Sequence, residues 1–370
     1  MELRSCKPDE RASALALSKS VFKDNMADQF LCLLGEDNID RIFVAVENGT
    51  VRSMVNYYPA TVKIHDAYVL TGSVGSVCTN PDYRGQKLAS RLLKQAEDKM
   101  LAEDITVMII SGQGGIYSAI GADFAGNCHE CFVPKGFFPK SEQISLKKYR
   151  PSDFEALKSV YETETVRFMR EDEEFRLLIE GQTYPDTFAT YPFELILLNG
   201  EVVAYAILHL ETDENSETLG IKEYGGNRKA LIASFDTLLE KYGKAKMHFA
   251  TDLHDELENY LEGAERVKIH QFASIKILNF AQFMEQIKPY IEQVIPESKG
   301  KLTWSERDRT YFFQYDAETL RIEDVMTLTE LVFGNTTPSI LDWSACPKIK
   351  ALLERVFPIP FAWTHNINYQ

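Results

Sequence analysis

Nowhere in the 370-residue sequence do 18 apolar residues run together, so no segment has the length and apolarity of an ordinary spanning helix. The opening stretch carries charges throughout and has no apolar signal-peptide centre, and the chain is therefore expected in the cytoplasm, without a membrane partner. Paired cysteine spacings are also missing. Six cysteines (Cys6, Cys32, Cys78, Cys128, Cys131 and Cys346) are scattered, which fits reduced thiols and no disulfides. Basic residues are in deficit, 40 Lys and Arg against 55 Asp and Glu, for a net charge of −15. That balance argues against nucleic acid, which needs a basic face. It suits either simple solubility or a cationic acceptor. No Pro/Ser or Gly/Ser tract is present, so the whole chain is expected to pack.

At about 100 to 200 residues per domain, this length predicts two or three units. Residues 3–8 read as a strand, a helix follows to about Phe22, and Ile42–Val46 opens a hairpin with Asn48-Gly49 at its turn. Strands near 52–58 and 71–79 lead into Pro81-Asp82-Tyr83-Arg84-Gly85. A helix comes next, with Leu88, Leu92, Leu93 and Ala96 at helical spacing. Residues 106–110 form a short apolar run suited to a buried strand, and a short helix is expected near Ile116. A mixed sheet covered by helices follows.

The pattern then restarts. Leu146 to Asp153 plus a helix echoes Leu3 to Glu10 plus a helix, and residues 194–203 echo the first hairpin, with Asn199-Gly200 again at the turn. Two elements repeated in the same order indicate a duplicated domain. Opposite Arg84–Ala89 the second copy has only Gly226-Asn227-Arg228-Lys229-Ala230-Leu231, so it is expected to be degenerate and catalytically silent. From about Ile275 the pattern changes again. A helix (281–291), a strand pair (301–315) and helical stretches near 322–332 and 349–356 end in the Pro- and aromatic-rich tail 357–363. The expected fold class is α/β (α+β): two tandem mixed sheets covered by helices, then a small α+β unit. The expected division is 1–140, 141–272 and 273–370.

A strand followed by a Gly-containing turn and a helix N-terminus offers backbone amides and a favourable dipole to a diphosphate. Arg84, Gly85, Gln86, Lys87, Leu88, Ala89 and Ser90 meet that description. The preceding Val77-Cys78-Thr79 has a backbone edge on which an extended amide-bearing ligand can pair as an added strand. Val77-x-Thr79-x-Pro81-x-Tyr83-Arg84-Gly85-Gln86-Lys87-Leu88-Ala89 resembles motif A of the GNAT N-acetyltransferases, usually Arg/Gln-x-x-Gly-x-Gly/Ala. Lys87 stands where the middle glycine is usual. Positive φ is not expected at a helix N-terminal residue, so the departure is read as minor.

The whole layout resembles the Eis (enhanced intracellular survival) family, in which an active GNAT domain, a degenerate one and a sterol-carrier-protein-like domain are joined. That resemblance implies acetyl-coenzyme A as cosubstrate, no metal, and an amine acceptor, either a small molecule or a peptide. It also implies a homo-oligomer, a hexamer in relatives. Ile116-Tyr117-Ser118-Ala119-Ile120-Gly121 matches the family's Ile/Leu-Tyr-x-x-x-Gly, which makes Tyr117 the acid that protonates the departing thiolate. A phenol with a pKa of about 10 suits a thiol leaving group. By the same resemblance Gly112 and Gln113 line the pantetheine arm. Phe22 and Asp24 line the acceptor, and the chain's own terminal α-carboxylate, that of Gln370, removes the amine proton.

Other readings stay open. Cys128-His129-Glu130-Cys131 is half of a metal motif, but in a strand its two thiols point to opposite faces. His254 with Asp252, Asp255 and Glu256 reads as a solvated acidic helix start. A non-catalytic acyl-coenzyme A or apolar-ligand sensor, and an enzyme for longer acyl chains, are the rivals.

Overall fold

The computed structural model describes residues 1–370 apart from 24, 25, 113, 337–340, 342, 369 and 370. The first unit is built as β1 (Glu2–Ser5), α1 (Arg11–Phe22), a short α2 (Met26–Gln29), β2 (Ile42–Glu47), β3 (Thr50–Ile64), β4 (Ala67–Thr79), α3 (Leu88–Ala102), β5 (Val107–Ile110) and a short α4 (Gly115–Ser118). β1 to β4 pair antiparallel in order. β5 adds parallel to β4, which requires the crossover that α3 supplies. Leu88, Leu92, Leu93, Ala96 and Met100 of α3 are buried on one face of this sheet. On the other face α1 covers Val44, Val46, Met54 and Cys78.

The repeat seen in the sequence is a repeat of local physics. Asn48-Gly49 and Asn199-Gly200 both have positive φ at each residue (50° and 74°, 53° and 89°), the conformation a two-residue turn needs to match strand twist. Both hairpins shift register just before the turn, at Ala45/Val46 and at Ile196/Leu197. Each copy's first helix follows a Pro-led turn. Glu10 accepts the Lys7 N–H at 3.0 Å and pairs with Arg4 at 2.7 Å. Asp153 accepts the Arg150 N–H at 3.2 Å and pairs with Lys147 at 2.6 Å.

Sheet membership does not follow chain order. Cys128–Pro134, ahead of the break expected at 140, lies in the second sheet between Glu265–Ile269 and Lys246–Asp252. Ser274–Ile277 returns to the first sheet and covers the open edge of β5 antiparallel. Val166–Met169 pairs with the far end of β3. Periodicity finds a strand but carries no information about its partner, which is why these exchanges are not visible in the sequence.

The third unit places helix Phe280–Val294 across the distal half of the first sheet, with Phe280, Phe283, Met284 and Ile287 against Val62, Val69, Val107 and Ile109. Its small sheet has three strands, Thr303–Arg307, Thr310–Tyr315 and Glu318–Ile322. Ile322 ends a strand, not a helix. The helix starts at Val325 because Asp324 caps it, its Oδ1 accepting the Thr327 N–H at 2.8 Å. The aromatic residues of the middle strand and of the tail are spent on this core: Phe313 meets Phe280 and Phe357 edge-on, and Phe361 meets Phe333. Among the described residues no helix is long and apolar enough to cross a membrane.

Candidate active site

β4 is interrupted by a bulge. Met54 faces Cys78 and Asn56 faces Gly75, so Val55 alone opposes Ser76 and Val77. Ser76 sits at φ 51°, a left-handed conformation that costs a residue with a Cβ about 1 kcal/mol or more. Two buried side chains hold it. Asn56 donates to the Gly75 and Ser76 carbonyls at 3.3 Å each, and Ser18 of α1 lies 3.0 Å from the Ser76 hydroxyl. β4 pairs with β5 only over Thr71–Val74. Beyond the bulge, Gly75–Thr79 has a strand partner only on its β3 side among the described residues, which leaves the edge at Val77, Cys78 and Thr79 open. The Cys78 side chain itself is buried on the α1 face, where burial pushes its thiol up to about 12. Its backbone, not its sulfur, is what the edge presents.

That edge runs straight into the turn before α3. Asn80 Oδ1 accepts the Asp82 N–H at 3.0 Å. Tyr83 is pinned by its hydroxyl to Glu47 (2.5 Å) and by Arg52 over its ring (4.9 Å). Arg84, Gly85, Gln86, Lys87 and Ser90 are exposed. Gly85 has φ 78° with open space where a Cβ would stand, so glycine serves conformation here, not room. The first backbone bond into the helix is from Arg91 to Lys87 at 3.1 Å. The Leu88, Ala89 and Ser90 amides precede it, and no side chain caps the helix.

Lys87 corrects one expectation. It adopts φ 58°, ψ 26°, so the position does require left-handed backbone, and the glycine usual there is explained by conformation. The turn must reverse just before the helix starts, and lysine bears the strain. Lys87→Gly is expected to raise folding stability by about 1 kcal/mol in urea denaturation, whereas Lys87→Ala, which keeps the strain, is not.

α4 brings Tyr117 under the same edge. Tyr117 is 9% exposed and packs in one cluster with Val74, Leu88, Leu92 and Ile110, with Val77 and Ala89 at its rim. Its backbone is fixed at both ends: the Tyr117 N–H donates to Gly114 O at 2.9 Å, and the Ala122 N–H donates to Tyr117 O at 3.0 Å. Gly112, at φ 115° with space at its Cβ position, follows β5, and its carbonyl accepts the Ser274 hydroxyl at 3.0 Å. Gln113 lies outside the described residues. The opened edge, the turn at 84–90, Gly112 and Tyr117 thus converge from four places in the chain.

On the opposite face, a cleft of about 210 Å³ lies between α1 and α2, lined by Leu15, Ser18, Lys19, Met26 and Asp28 among others. Phe22 ends α1 and is 39% exposed. Asp24 lies outside the described residues. Asp28, not singled out from the sequence, is the carboxylate that lines this cleft among the described residues.

The tail is docked as far as it is described. Ile359, Phe361, Thr364, Asn366, Ile367 and Asn368 are buried, and Ile367 packs with Cys32, Phe154, Phe175 and Tyr205, with Tyr58 of β3 at the cluster's edge. Gln370 lies outside the described residues. His365, half-buried, stacks near Phe272 (4.8 Å). Burial, then the charges of Lys222 and His209, lower its pKa from 6.5 to about 3. The folded tail therefore holds a neutral imidazole, while the unfolded chain takes up a proton below pH 6.5. This contribution is complete above pH 6.5 and is lost as pH falls toward 3. Stability should decline by up to about 1.4 kcal/mol per pH unit across that window, measured by denaturation between pH 7 and 5, and His365→Phe should flatten the slope.

In the second copy the corresponding turn is already filled. Asn227 caps helix Arg228–Tyr242, its Oδ1 accepting the Ala230 N–H at 2.9 Å. The Glu164 carboxylate accepts the Gly226 N–H at 2.6 Å and grips Arg228 from one side, while Asp255 grips it from the other at 2.7 Å. Internal carboxylates hold the groups that an anion would need. Asp255 is thus a half-buried ion-pair partner, in contrast to the solvated reading of its segment. Cys128 and Cys131 lie in a strand, both buried, with burial pushing the Cys131 thiol up to about 12.

Residues 2–125 match the family described as an acetyltransferase (GNAT) domain. That span contains the opened β4 edge, the turn at 84–90 and Tyr117, and the acetyltransferase domain it forms marks the protein as an N-acetyltransferase enzyme. The complete fold is similar to solved structures of low identity. A GCN5-related N-acetyltransferase from Anabaena variabilis aligns at a TM-score of 0.67, 13% identity and 98% of each chain. A protein of unknown function from Enterococcus faecalis, described as a probable N-acyltransferase, aligns at 0.65, 14% and 90% of each. Eis1 from Mycobacterium abscessus aligns at 0.59 and 12%, over 89% of this chain and 88% of that one. These likenesses establish the tandem GNAT-like α/β fold. No curated protein matches the sequence.

Proposed function

We propose that this chain transfers the acetyl group of acetyl-coenzyme A to a primary amine, and that it belongs to the Eis type, with a silent second GNAT unit and a sterol-carrier-like third. The observation that carries this is the continuity of the site: a bulge-opened β4 edge, an uncapped 15-residue helix N-terminus and a buried tyrosine in one cluster. In this reading the Val77–Thr79 backbone pairs with the pantetheine amides. The amides of Gly85 to Ser90, with Arg84 and Lys87, hold the diphosphate, and Gly112 and Gln113 flank the arm.

The acceptor amine enters from the α1–α2 side, where Asp28, Phe22 and Asp24 favour a cation such as an aminoglycoside, a polyamine or a lysine side chain. Its nitrogen attacks the thioester carbon, and backbone amides at the bulge receive the developing oxyanion. The C–S bond then breaks as the Tyr117 hydroxyl gives its proton to sulfur. The terminal α-carboxylate of Gln370 takes the proton of the amine. No enzyme thiol is needed: burial pushes the Cys78 sulfhydryl up to about 12, and it is packed away.

The test is release of the coenzyme A thiol from acetyl-coenzyme A across aminoglycosides, polyamines, arylamines and lysine peptides, with cofactor calorimetry. Amine-dependent release is expected. Tight binding without release would favour a sensor, and absence of binding would remove the site assignment. Longer acyl-coenzyme A donors in the same assay define the chain preference, and sedimentation tests the hexamer implied by the family resemblance.

A further inference from the structure

Two strands of the second unit part and leave a cavity between them. Thr218–Gly226 runs parallel to Lys246–Asp252 only over Thr218–Gly220, just as β4 pairs with β5 only as far as Val74. A bulge follows at the same interval in each unit. Ser76 stands two residues past Val74, and Lys222, the extra residue between the Ile207–Glu223 and Leu208–Ile221 pairs, stands two past Gly220. The wedge beyond Gly220 is a cavity of about 410 Å³, within the size range of small-molecule sites. The turn at its end is closed, because Glu164 and Asp255 hold the Gly226 N–H and Arg228. A diphosphate therefore has no place here, yet the wedge remains.

Its walls offer a backbone edge, negative charge and aromatic surface. The Asn227 N–H donates to Val203 O at 2.9 Å, while the Gly226 N–H points the other way, to Glu164 at 2.6 Å. Alternation along the ladder turns the N–H and C=O of Tyr224 the same way as those of Gly226, into the wedge, where no strand faces them among the described residues. Four carboxylates line the space, Glu164, Asp252, Asp255 and the exposed Glu256, against two guanidiniums, Arg167 and Arg228. Arg170 and Glu223, 1% and 7% exposed, cancel each other through bonds of 2.9 and 2.8 Å. Lys222 gives its ammonium to Gln182 at 2.8 Å, a residue that is not part of the wall. Two negative charges are thus in excess. Asp252 Oδ1 is taken by His254 at 2.7 Å, but Oδ2 receives only a long 3.4 Å bond from the Phe361 N–H among the described residues. Phe168, Phe361 and Trp363 supply apolar surface.

We propose that this wedge is a second ligand site, and that it takes a small α-amino amide. The ammonium sits among the carboxylates near Asp252. The amide forms one rung of an added strand with the Tyr224 N–H and C=O, and an apolar side chain lies against Phe361 and Trp363. Acetyl transfer is not needed for this binding, and the site is separate from the α1–α2 cleft.

The test is site-resolved amide hydrogen exchange on the full chain with leucinamide as probe, alongside leucine, N-acetylleucinamide and pantetheine. At about ten times its Kd, leucinamide should slow exchange at the Tyr224 amide about tenfold. N-acetylleucinamide, which lacks the charge, and leucine, which sets a carboxylate against Asp252 and Glu164, should bind at least about tenfold more weakly. Ala250→Phe, which fills the wedge, should remove the protection, and Asp252→Asn should weaken it. Unprotected Tyr224 at saturating leucinamide would overturn the site, even if heat is released by binding elsewhere. Equal protection by N-acetylleucinamide would overturn the role of the carboxylates, and equal or stronger protection by pantetheine would overturn the ligand class. These ligand comparisons use the native protein, so they decide the proposal whether or not either variant folds.

Discussion

Tyr117→Phe is expected to lower kcat by about 100- to 10,000-fold, the range that a positioned general acid contributes, and to leave cofactor affinity unchanged. The phenol ring supplies the packing with Val74, Leu88 and Ile110, and phenylalanine retains it. The substitution removes the hydroxyl, so the thiolate must leave unprotonated or wait for water. Single-turnover kinetics with calorimetry make the distinction. A large kcat effect with normal affinity supports the acid, and a parallel loss of affinity would reassign Tyr117 to cofactor packing. Donors with better leaving groups should be less sensitive to the substitution, because they need the proton less.

The second large effect is at the other end of the chain. Removing Tyr369 and Gln370 is expected to abolish amine transfer while the unfolding temperature stays close to that of the full chain. The buried tail residues Ile359, Phe361 and Ile367 and the bonds at Ile367 and Asn368 remain in the shortened protein, so docking persists. The terminal carboxylate assigned to take the proton is moved two residues back, to Asn368. Raising pH should restore part of the rate for amines of low pKa, since those are neutral without help. Normal turnover in the shortened chain would remove Gln370 from the mechanism.

Much of the fold was legible because it depends on local chemistry. The Asn-Gly turns at 48–49 and 199–200, the helical spacing of Leu88, Leu92, Leu93 and Ala96, and the strand–turn–helix at 79–90 each specify a conformation within a few residues. The duplication was legible for the same reason, since Pro8–Glu10 and Pro151–Asp153 solve one helix-entry problem in one way. Partnerships between distant segments were not. The return of Ser274–Ile277 to the first sheet and the placement of Cys128–Pro134 in the second depend on which edges are open after folding, a property of no window.

The site divides along the same line. The conformation of the turn was legible from its residue types, while Tyr117 was picked out by the family resemblance and its role stands as a proposal. The bulge was not legible, although Gly72 and Gly75 around Ser73 hinted at irregular backbone. Its supports, Asn56 and Ser18, come from another strand and a helix. Lys87 was misjudged because a helix N-terminus usually tolerates any side chain, whereas this turn reverses just ahead of it. Arg170 and Glu223 gave no signal: separately they are ordinary charges, and only folding buries them against each other.

The central claim, direct transfer of acetyl from coenzyme A to an amine on this scaffold, is tested most directly by following an isotope-labelled acetyl group by mass spectrometry. The protein, labelled acetyl-coenzyme A and a polyamine or aminoglycoside are mixed, and both the amine and the intact protein are weighed. The account predicts label on the amine nitrogen in step with thiol release and none on the protein. Label retained on a protein side chain, or thiol release with the label only in free acetate, would contradict it.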